Sequence, residues 1–304
     1  MNSMPPLTIQ QALLQAKQKI DALDAELLLA HILKKPREWV LVHPEARVHK
    51  VYKVKKFIKL VNQRAKGVPL AYLTGHKEFF GLDFEVNKNV LIPRPETERM
   101  VELVIEEIKR LKDQKITMLD VGTGSGCIPV AIVNHIRHNF SPYQGEREGV
   151  CLKTIAIDIS KKALTVARRN ARKHKVEIKF LRGDLLSPIL KSCVIHHTSS
   201  LIITANLPYL TNKQFNSSPS IQHEPKLALV AGRDGLRYYR ILLKQIRKLL
   251  EIKNLKLEIF LEIDPSQSPH ITKLIKSLLP NAKIEIKKDL TGLDRVVRIT
   301  NYAA

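Results

Sequence analysis

The stretch Thr117-Met118-Leu119-Asp120-Val121-Gly122-Thr123-Gly124-Ser125-Gly126 constrains this chain more than any other. A run of strand character passes directly into three glycines separated by small polar residues, and helical spacing begins at Cys127. Glycine lets the backbone bend sharply and lets a ligand approach it closely. The first turn of the following helix leaves N–H groups without intrahelical partners. Strand, glycine turn and helix in that order make a ligand-binding βα unit, the geometry that holds pyrophosphate in dinucleotide enzymes.

The rest of the C-terminal two thirds repeats the βα rhythm. The spacing predicts strands at 116–121, 153–158, 176–182, 200–205, 257–263, 282–288 and 294–300, with helices near 126–138, 160–174, 234–251 and 267–279. Such alternation predicts an α/β fold, a mostly parallel sheet covered on both faces. The closely spaced last two strands predict an antiparallel final strand. Residues 139–150, with Pro142, Gly145 and Gly149, read as a polar loop insertion.

The N-terminal third is helical. Thr8 and Gln11 form a capping-box pattern ahead of Ile9, Ala12, Leu13, Ala16 and Ile20. Asp21 can cap a second segment, and Pro36 ends it. In 51–66 the residues Val51, Val54, Ile58, Val61 and Ala65 mark an apolar stripe. Gly67-Val68-Pro69 breaks this region, Phe79 to Val86 reads as a hairpin, and Pro93 and Pro95 lead into a helix over 96–112. These boundaries give a bundle over 1–75, a hairpin linker over 76–95 and a catalytic domain over 96–304.

The formal net charge is +22. Lys34 to Lys77 holds twelve Lys or Arg against Glu38 and Glu45, a local net of +10. An excess of this kind suits an acidic partner or nucleic acid, and equally a solvated helix face. No apolar run approaches the ~18–20 residues that span a bilayer, and no secretory signal is apparent, so a cytoplasmic monomer is expected. The three cysteines lack paired spacing, which suits a reducing compartment. Cys193 with His196 and His197 lacks a fourth ligand for a metal site, and Cys127 reads as a small packed residue.

Two acids narrow the ligand. Asp158 closes the second strand, about thirty residues after the glycine turn, where a carboxylate can accept from both ribose hydroxyls. Asp184 follows the third strand and can accept from an adenine amine, with Leu185 against the ring. A glycine loop with acids after the second and third strands fits S-adenosyl-L-methionine better than NAD. After the fourth strand comes Asn206-Leu207-Pro208-Tyr209. An amide or aromatic amine is a poor nucleophile because its lone pair is delocalised. The Asn206 oxygen and the residue 207 carbonyl can accept its N–H bonds, and Tyr209 offers a flat face for stacking. Positioning and fixed dipoles then carry the transfer.

In these and other segments the chain resembles the release-factor glutamine methyltransferases. The resemblance covers Asp24 to His31, Pro69 to Gly75, Glu78 to Gly81, Pro93 to Glu98 and Asp120 to Ile128. It continues through Glu224-Pro225, Ala228-Leu229, Gly232, Asp234-Gly235-Leu236, Tyr239-Arg240, Asp289-Leu290 and Asp294-Arg295. It implies a class I methyltransferase domain, with a Rossmann-like seven-stranded sheet, behind a small helical bundle that binds release factor. It also implies methylation of the glutamine amide in the Gly-Gly-Gln motif of peptide-chain release factors. Cofactor contacts carry over to Gly122, Thr123, Gly124, Ser125, Gly126, Asp158, Asp184, Leu185 and Asn206, and substrate contacts to Asn206, Leu207, Pro208 and Tyr209. Glu224 would support the site from behind, and Asp294 and Arg295 would pin a sheet edge. The family usually has Asn-Pro-Pro-Tyr, whereas residue 207 is Leu. The form Asn-Leu-Pro-Tyr is similar to that of ribosomal-RNA adenine dimethyltransferases. An adenine amine of RNA or DNA, or a ribosomal-protein glutamine, is therefore the alternative target.

Overall fold

A computed structural model describes residues 7–111, 115–139, 151–192, 198–252 and 256–301. Asn139, the first residue of the loop predicted over 139–150, is helical instead. The rest of that loop, with Cys193, His196 and His197, lies outside the described residues. The chain forms two compact units, Met1–His76 with Pro219–His223, and Lys77–Ser218 with Glu224–Ala304.

The first unit is helical: α1 (Ile9–Lys17), α2 (Ala22–Leu33), α3 (Arg37–Val42), α4 (Val51–Ala65) and α5 (Leu70–Thr74). Thr8 and Gln11 close the capping box on α1, and the Asp21 side chain accepts from Leu23 N at 2.8 Å. Ile9, Leu13, Leu28, Leu29, Val40, Val54, Phe57 and Val61 are buried together. On α4 the buried face is Val54, Phe57, Leu60 and Val61, while Val51 and Ala65 are exposed. The expected stripe was thus turned by about one residue, because Phe57 and Leu60 bury more apolar area than the smaller residues beside them. Glu26 is buried between Lys17, at 3.1 Å, and Arg37, at 2.8 Å. Burial works to raise its pKa, but the two cations outweigh that and hold it below the usual carboxylate value.

The second unit begins with a hairpin, β1 (His76–Phe79) and β2 (Leu82–Glu85), followed by α6 (Glu98–Arg110). The hairpin is built into this unit. Phe79 and Phe84 are buried in its core, and the fully buried Asn170 both donates to and accepts from the Glu85 backbone, at 3.0 and 2.7 Å. Then come β3 (Ile116–Val121), α7 (Cys127–Asn139), β4 (Leu152–Asp158), α8 (Lys161–Lys173), β5 (Lys179–Arg182), α9 (Ser187–Leu190), β6 (Ser200–Ala205) and α10 (Asn212–Asn216). The chain closes with α11 (Arg237–Ile252), β7 (Lys256–Glu262), α12 (Ser268–Leu278), β8 (Lys283–Lys288) and β9 (Asp294–Asn301).

The seven-stranded sheet has the order β5-β4-β3-β6-β7-β9-β8. The first five strands are parallel, and β9 runs antiparallel to both β7 and β8. Alternate residues serve opposite faces, as pleating requires. Leu119 and Val121 pack with Leu242, Leu243 and Ile246 of α11 and Ile271 of α12. Ile116 and Met118 pack with Val104 and Ile108 of α6 and Val130 of α7. Both faces are covered, so the central strands read as continuous apolar runs.

The third strand starts at Lys179 rather than 176. Lys175 takes a left-handed conformation, Val176 N bonds back to Ala171 O, and Val176 is buried, so this segment finishes α8 instead. Arg295 and Asp294 do not pin a sheet edge, because β9 lies between β7 and β8. Arg295 instead pairs with the half-buried Asp289 at 3.1 Å and fixes the β8–β9 turn.

Where β7, β9 and α6 meet, two buried carboxylates share two arginines. Arg298 reaches Glu107 at 2.7 Å and Glu258 at 2.9 Å, and Arg110 also pairs with both. Removing one cation leaves buried charge poorly compensated. Arg298→Ala is therefore expected to cost about 3 kcal/mol of stability, read from the midpoint of urea unfolding.

Candidate functional site

Parallel register sets the site. Val121 pairs with Ile157 on one side and Ala205 on the other, Ala205 pairs with Leu261, and Asp158 pairs with Arg182. The next residues, Gly183, Gly122, Asn206 and Glu262, therefore emerge with Asp158 along one carboxyl edge. The strand order reverses at β3, with β4 on one side and β6 on the other. Open α/β sheets form their ligand crevice at such a reversal.

The glycine turn is tied to the second strand. The N–H groups of Gly122 and Thr123 both donate to Ile157 O, at 2.9 and 3.0 Å. Gly124 N donates to Asp158 Oδ2 at 2.9 Å, and Ser160 N donates to Asp158 Oδ1 at 2.8 Å. Burial pushes the Asp158 pKa up, against the pull of these two N–H groups. Each carboxylate oxygen keeps capacity for a further donor. At Gly122 φ is 77°, and a side chain would meet Leu207 Cδ2 at 2.9 Å. At Gly126 φ is 80°, and a side chain would strike Ala167 of α8 at 3.1 Å. The first glycine keeps the crevice open and the last lets α8 pack close. Behind the turn, Asp120 is buried and accepts from Thr204 Oγ1 at 2.7 Å. Burial raises its pKa to about 6.

After β5, Asp184 is exposed and Leu185 is buried in a left-handed conformation with φ of 50°. A leucine held there is strained by about 1 kcal/mol or more. The conformation sets Leu185 in the crevice wall while Leu186 N is fixed to Gln245 Oε1 at 2.7 Å.

After β6, the Asn206 amide nitrogen donates to Thr97 Oγ1 at 3.1 Å. Leu207 is buried, and its carbonyl lies 3.4 Å from the Tyr239 hydroxyl. That hydroxyl also donates to the Glu262 backbone carbonyl, a much closer acceptor. Tyr209 packs against the core, and its carbonyl accepts from Gln267 Nε2 at 3.1 Å. Burial holds its phenol well above the ordinary range, so it stays neutral.

The crevice holds about 880 Å³ of open space, and its wall includes Gly122, Gly124, Asp158, Asp184, Leu185, Asn206, Leu207 and Pro208. These residues from four separate segments come together as one surface. Thr123, Ser125, Gly126 and Tyr209 lie outside that wall. Thr123 and Ser125 are buried, and the Ser125 carbonyl accepts from Asn170 Nδ2 at 2.8 Å.

Several wall residues were given no role in the site by the sequence. Asn89, Val90 and Leu91 lie on one rim and Pro225, Leu227 and Ala228 on another. Glu224 joins the two rims: its carboxylate accepts from Ile92 N at 3.1 Å and from Arg94 Nη2 at 2.5 Å. Nothing in the sequence assigns a role to Thr97 or Glu262. Glu262 is fully buried, and its pKa is raised to about 7, first by burial and then by Glu96, against Thr97, Arg295 and Asn206. A single acid at a strand end looks like an ordinary helix cap, and only the register brings it beside Asn206.

Residues 8–75 match the PrmC N-terminal domain, and residues 112–254 match a methyltransferase domain family. The chain is 32% identical over 277 residues to the release factor glutamine methyltransferase of Bacillus cereus, covering 90% of each chain. It is 33% identical to that of Bacillus subtilis, covering 90% of this chain and 89% of the relative. Among solved structures, the N-terminal domain of human METTL16 with SAH superposes with a TM-score of 0.50 at 15% identity, over 91% of this chain and 94% of that one. At that identity the likeness concerns the fold alone. With these relatives and this crevice, the chain belongs to the release factor glutamine methyltransferase family and is an S-adenosylmethionine-dependent methyltransferase of the class I fold.

Proposed function

We propose that this chain methylates the side-chain amide nitrogen of the glutamine in the Gly-Gly-Gln segment of peptide-chain release factors. The observation that carries the reading is the placement of Asn206. It stands where the strand order reverses, beside Gly122, with its nitrogen end bonded inward to Thr97 at 3.1 Å. An amide bound at one end presents its oxygen at the other. That oxygen and the carbonyl of Leu207, a residue of the same crevice wall, would be the two acceptors for an NH2 group.

The crevice also fits S-adenosylmethionine. Asp158 keeps lone pairs for a pair of hydroxyls, Asp184 offers an acceptor at the surface, and Leu185 with Leu227 supplies an apolar wall. When bound there, S-adenosylmethionine supplies an electrophilic methyl group on a sulfonium. The protein orients the amide nitrogen and stabilises the positive charge that builds on it as the new bond forms. Asn206 Oδ1 and the Leu207 carbonyl do this with dipoles already in place, so little reorganisation accompanies transfer. Pro208 biases Leu207 toward an extended backbone, which keeps that carbonyl in position. Residues 1–75, the hairpin over 76–95 and the catalytic part over 96–304 divide the labour in this reading. The basic face of α4 would meet the release factor.

Transfer of labelled methyl from S-adenosylmethionine tests the target. Label is expected in purified release factor and not in a variant whose Gly-Gly-Gln glutamine is replaced by alanine. Label in ribosomal RNA or in a ribosomal protein alone would refute the proposal.

Two variants separate the roles. Asn206→Ala is expected to lower kcat by about 10²- to 10³-fold while calorimetry still shows S-adenosylmethionine binding. Asp158→Ala is expected to weaken that binding by roughly 10- to 100-fold, the range for losing hydrogen bonds to a charged acceptor. Leu207→Pro tests the carbonyl. It removes buried side-chain volume beside Gly122 and should lower the melting temperature by a few degrees, for about 1 kcal/mol of lost packing. It is expected to retain methyl transfer, because the backbone acceptor survives.

A further inference from the structure

Glu262 follows Leu261 in β7 as Asn206 follows Ala205 in β6, so the parallel register seats the two side by side. Thr97, the last residue of the short 3-10 turn Pro95–Thr97, is buried between them in bonding terms. It accepts from the Asn206 amide nitrogen at 3.1 Å, and the Glu262 carboxyl interacts with both the Thr97 hydroxyl and the Asn206 amide. A hydroxyl has one proton and two lone pairs. An ionised carboxylate only accepts, so it claims that proton. Thr97 is then left with lone pairs alone to offer Asn206, and only the NH2 end of the amide can face it.

We propose that Thr97 and Glu262 are positioning residues for methyl transfer. Their hydrogen-bond polarity, from Asn206 Nδ2 to Thr97 to Glu262, fixes the rotation of the Asn206 amide and turns its Oδ1 to the target nitrogen. The proposal rests on the reading of Asn206 as an acceptor for the substrate amide. Without the carboxylate the direction can reverse. A protonated Glu262 can donate to Thr97, Thr97 can donate to Asn206 Oδ1, and the amide then shows its NH2 to the substrate, donor against donor.

Burial supports an active rather than a packing role. Glu262 is 1% exposed, and its Oε2 has no hydrogen-bond partner among the described residues. A carboxylate buried without a full set of partners costs stability, and such costs are kept where function needs them. The charged and titratable groups around it are Arg295 on β9, Glu96 beside Thr97, Tyr209 after β6, Tyr239 on α11 and Cys127 on α7. Its folded pKa of about 7 stands above the ordinary 4.5. The stability this group contributes is therefore present below the ordinary value and is lost as pH rises through about 7.

The test uses Thr97→Val, Thr97→Ser and Glu262→Gln in the full chain. Thr97→Val is expected to lower kcat by about 100-fold, with the S-adenosylmethionine Kd and the release-factor KM changed by less than about threefold. Thr97→Ser, which keeps the hydroxyl, is expected to restore kcat to within about threefold of the parent. In the parent, kcat is expected to fall below a break near pH 7, and Glu262→Gln is expected to lose that break. Glu262→Gln should also melt higher than the parent at pH 8 and no higher at pH 5. Independently of turnover, the Asn206 side-chain NH2 signals in a 15N spectrum should be protected from solvent exchange in the parent and exposed in Thr97→Val.

A folded Thr97→Val with parental kcat, a Thr97→Ser as impaired as Thr97→Val, or an unaltered pH break in Glu262→Gln would each overturn the proposal. If Thr97→Val does not fold, the Glu262→Gln profile and its melting difference decide alone. Asn206→Ala in the same assay keeps the two readings apart. If it stays active, the role of Asn206 fails and the positioning role with it. If it is inactive while Thr97→Val is fully active, only the positioning role fails.

Discussion

Parallel pairing of β3 with β4 on one side and β6 on the other is the constraint from which the site follows. The register Val121↔Ile157 and Val121↔Ala205 leaves no freedom in where Gly122, Asp158 and Asn206 emerge. All three leave the sheet at its carboxyl edge, at the one place where the strand order reverses. The glycine turn is then closed by hydrogen bonds rather than by its own sequence. Ile157 O takes two turn N–H groups and Asp158 takes a third. A one-residue slip of β4 would move the Asp158 side chain to the other face of the sheet, where it could no longer accept from Gly124. The buried apolar runs on both faces of β3, β4 and β6 make such a slip costly, so packing energy in the core secures the position of polar atoms at the edge.

That edge is also where the molecule departs from the rules that stabilise the rest of it. Elsewhere, buried acids are matched by cations, as Glu107 and Glu258 are by Arg110 and Arg298. At the crevice, burial lifts Asp120 to about 6 and Glu262 to about 7, and neither finds a full set of partners. Leu185 adds backbone strain at the same edge. Local choices in a stable fold normally agree with one another, and disagreements gather where function demands them. Here the strained leucine and both under-partnered acids sit within three residues of the carboxyl ends of strands. The scaffold that tolerates them has its apolar mass in α6, α7, α11 and α12, away from the edge.

The strands and helices of the second unit were legible because both faces of the sheet are covered. Runs such as Ser200–Ala205 are wholly buried and are bounded by polar turns, which leaves little choice of assignment. Glycine and acid positions were legible because backbone geometry restricts which residues fit. Thr97 and Glu262 were not. Each is an unremarkable polar residue at the end of an element, and they are separated by more than one hundred and sixty residues. Their relation exists only once β7 is placed beside β6. The link between the rims was hidden for a similar reason, since Glu224 makes it through Ile92 N and Arg94 across a long sequence gap. The apolar face of α4 was misjudged because small apolar residues satisfied a helical spacing that Phe57 and Leu60 satisfy with more area.

Leu207 shows how a departure from a motif can be absorbed. In the proposed mechanism its carbonyl and the proline after it are what the transfer uses, and both are independent of its side chain. The side chain is accommodated by Gly122, whose missing Cβ would lie 2.9 Å from Leu207 Cδ2. Because φ at Gly122 is 77°, that position already favours glycine for backbone reasons. The space that admits Leu207 is thus a by-product of the turn that opens the crevice. The acceptor pair at the amide nitrogen can therefore stay constant while residue 207 varies. In the proposed reading its constancy depends instead on what lies behind Asn206, where the Thr97 hydroxyl and the buried Glu262 carboxylate set which end of the amide faces out.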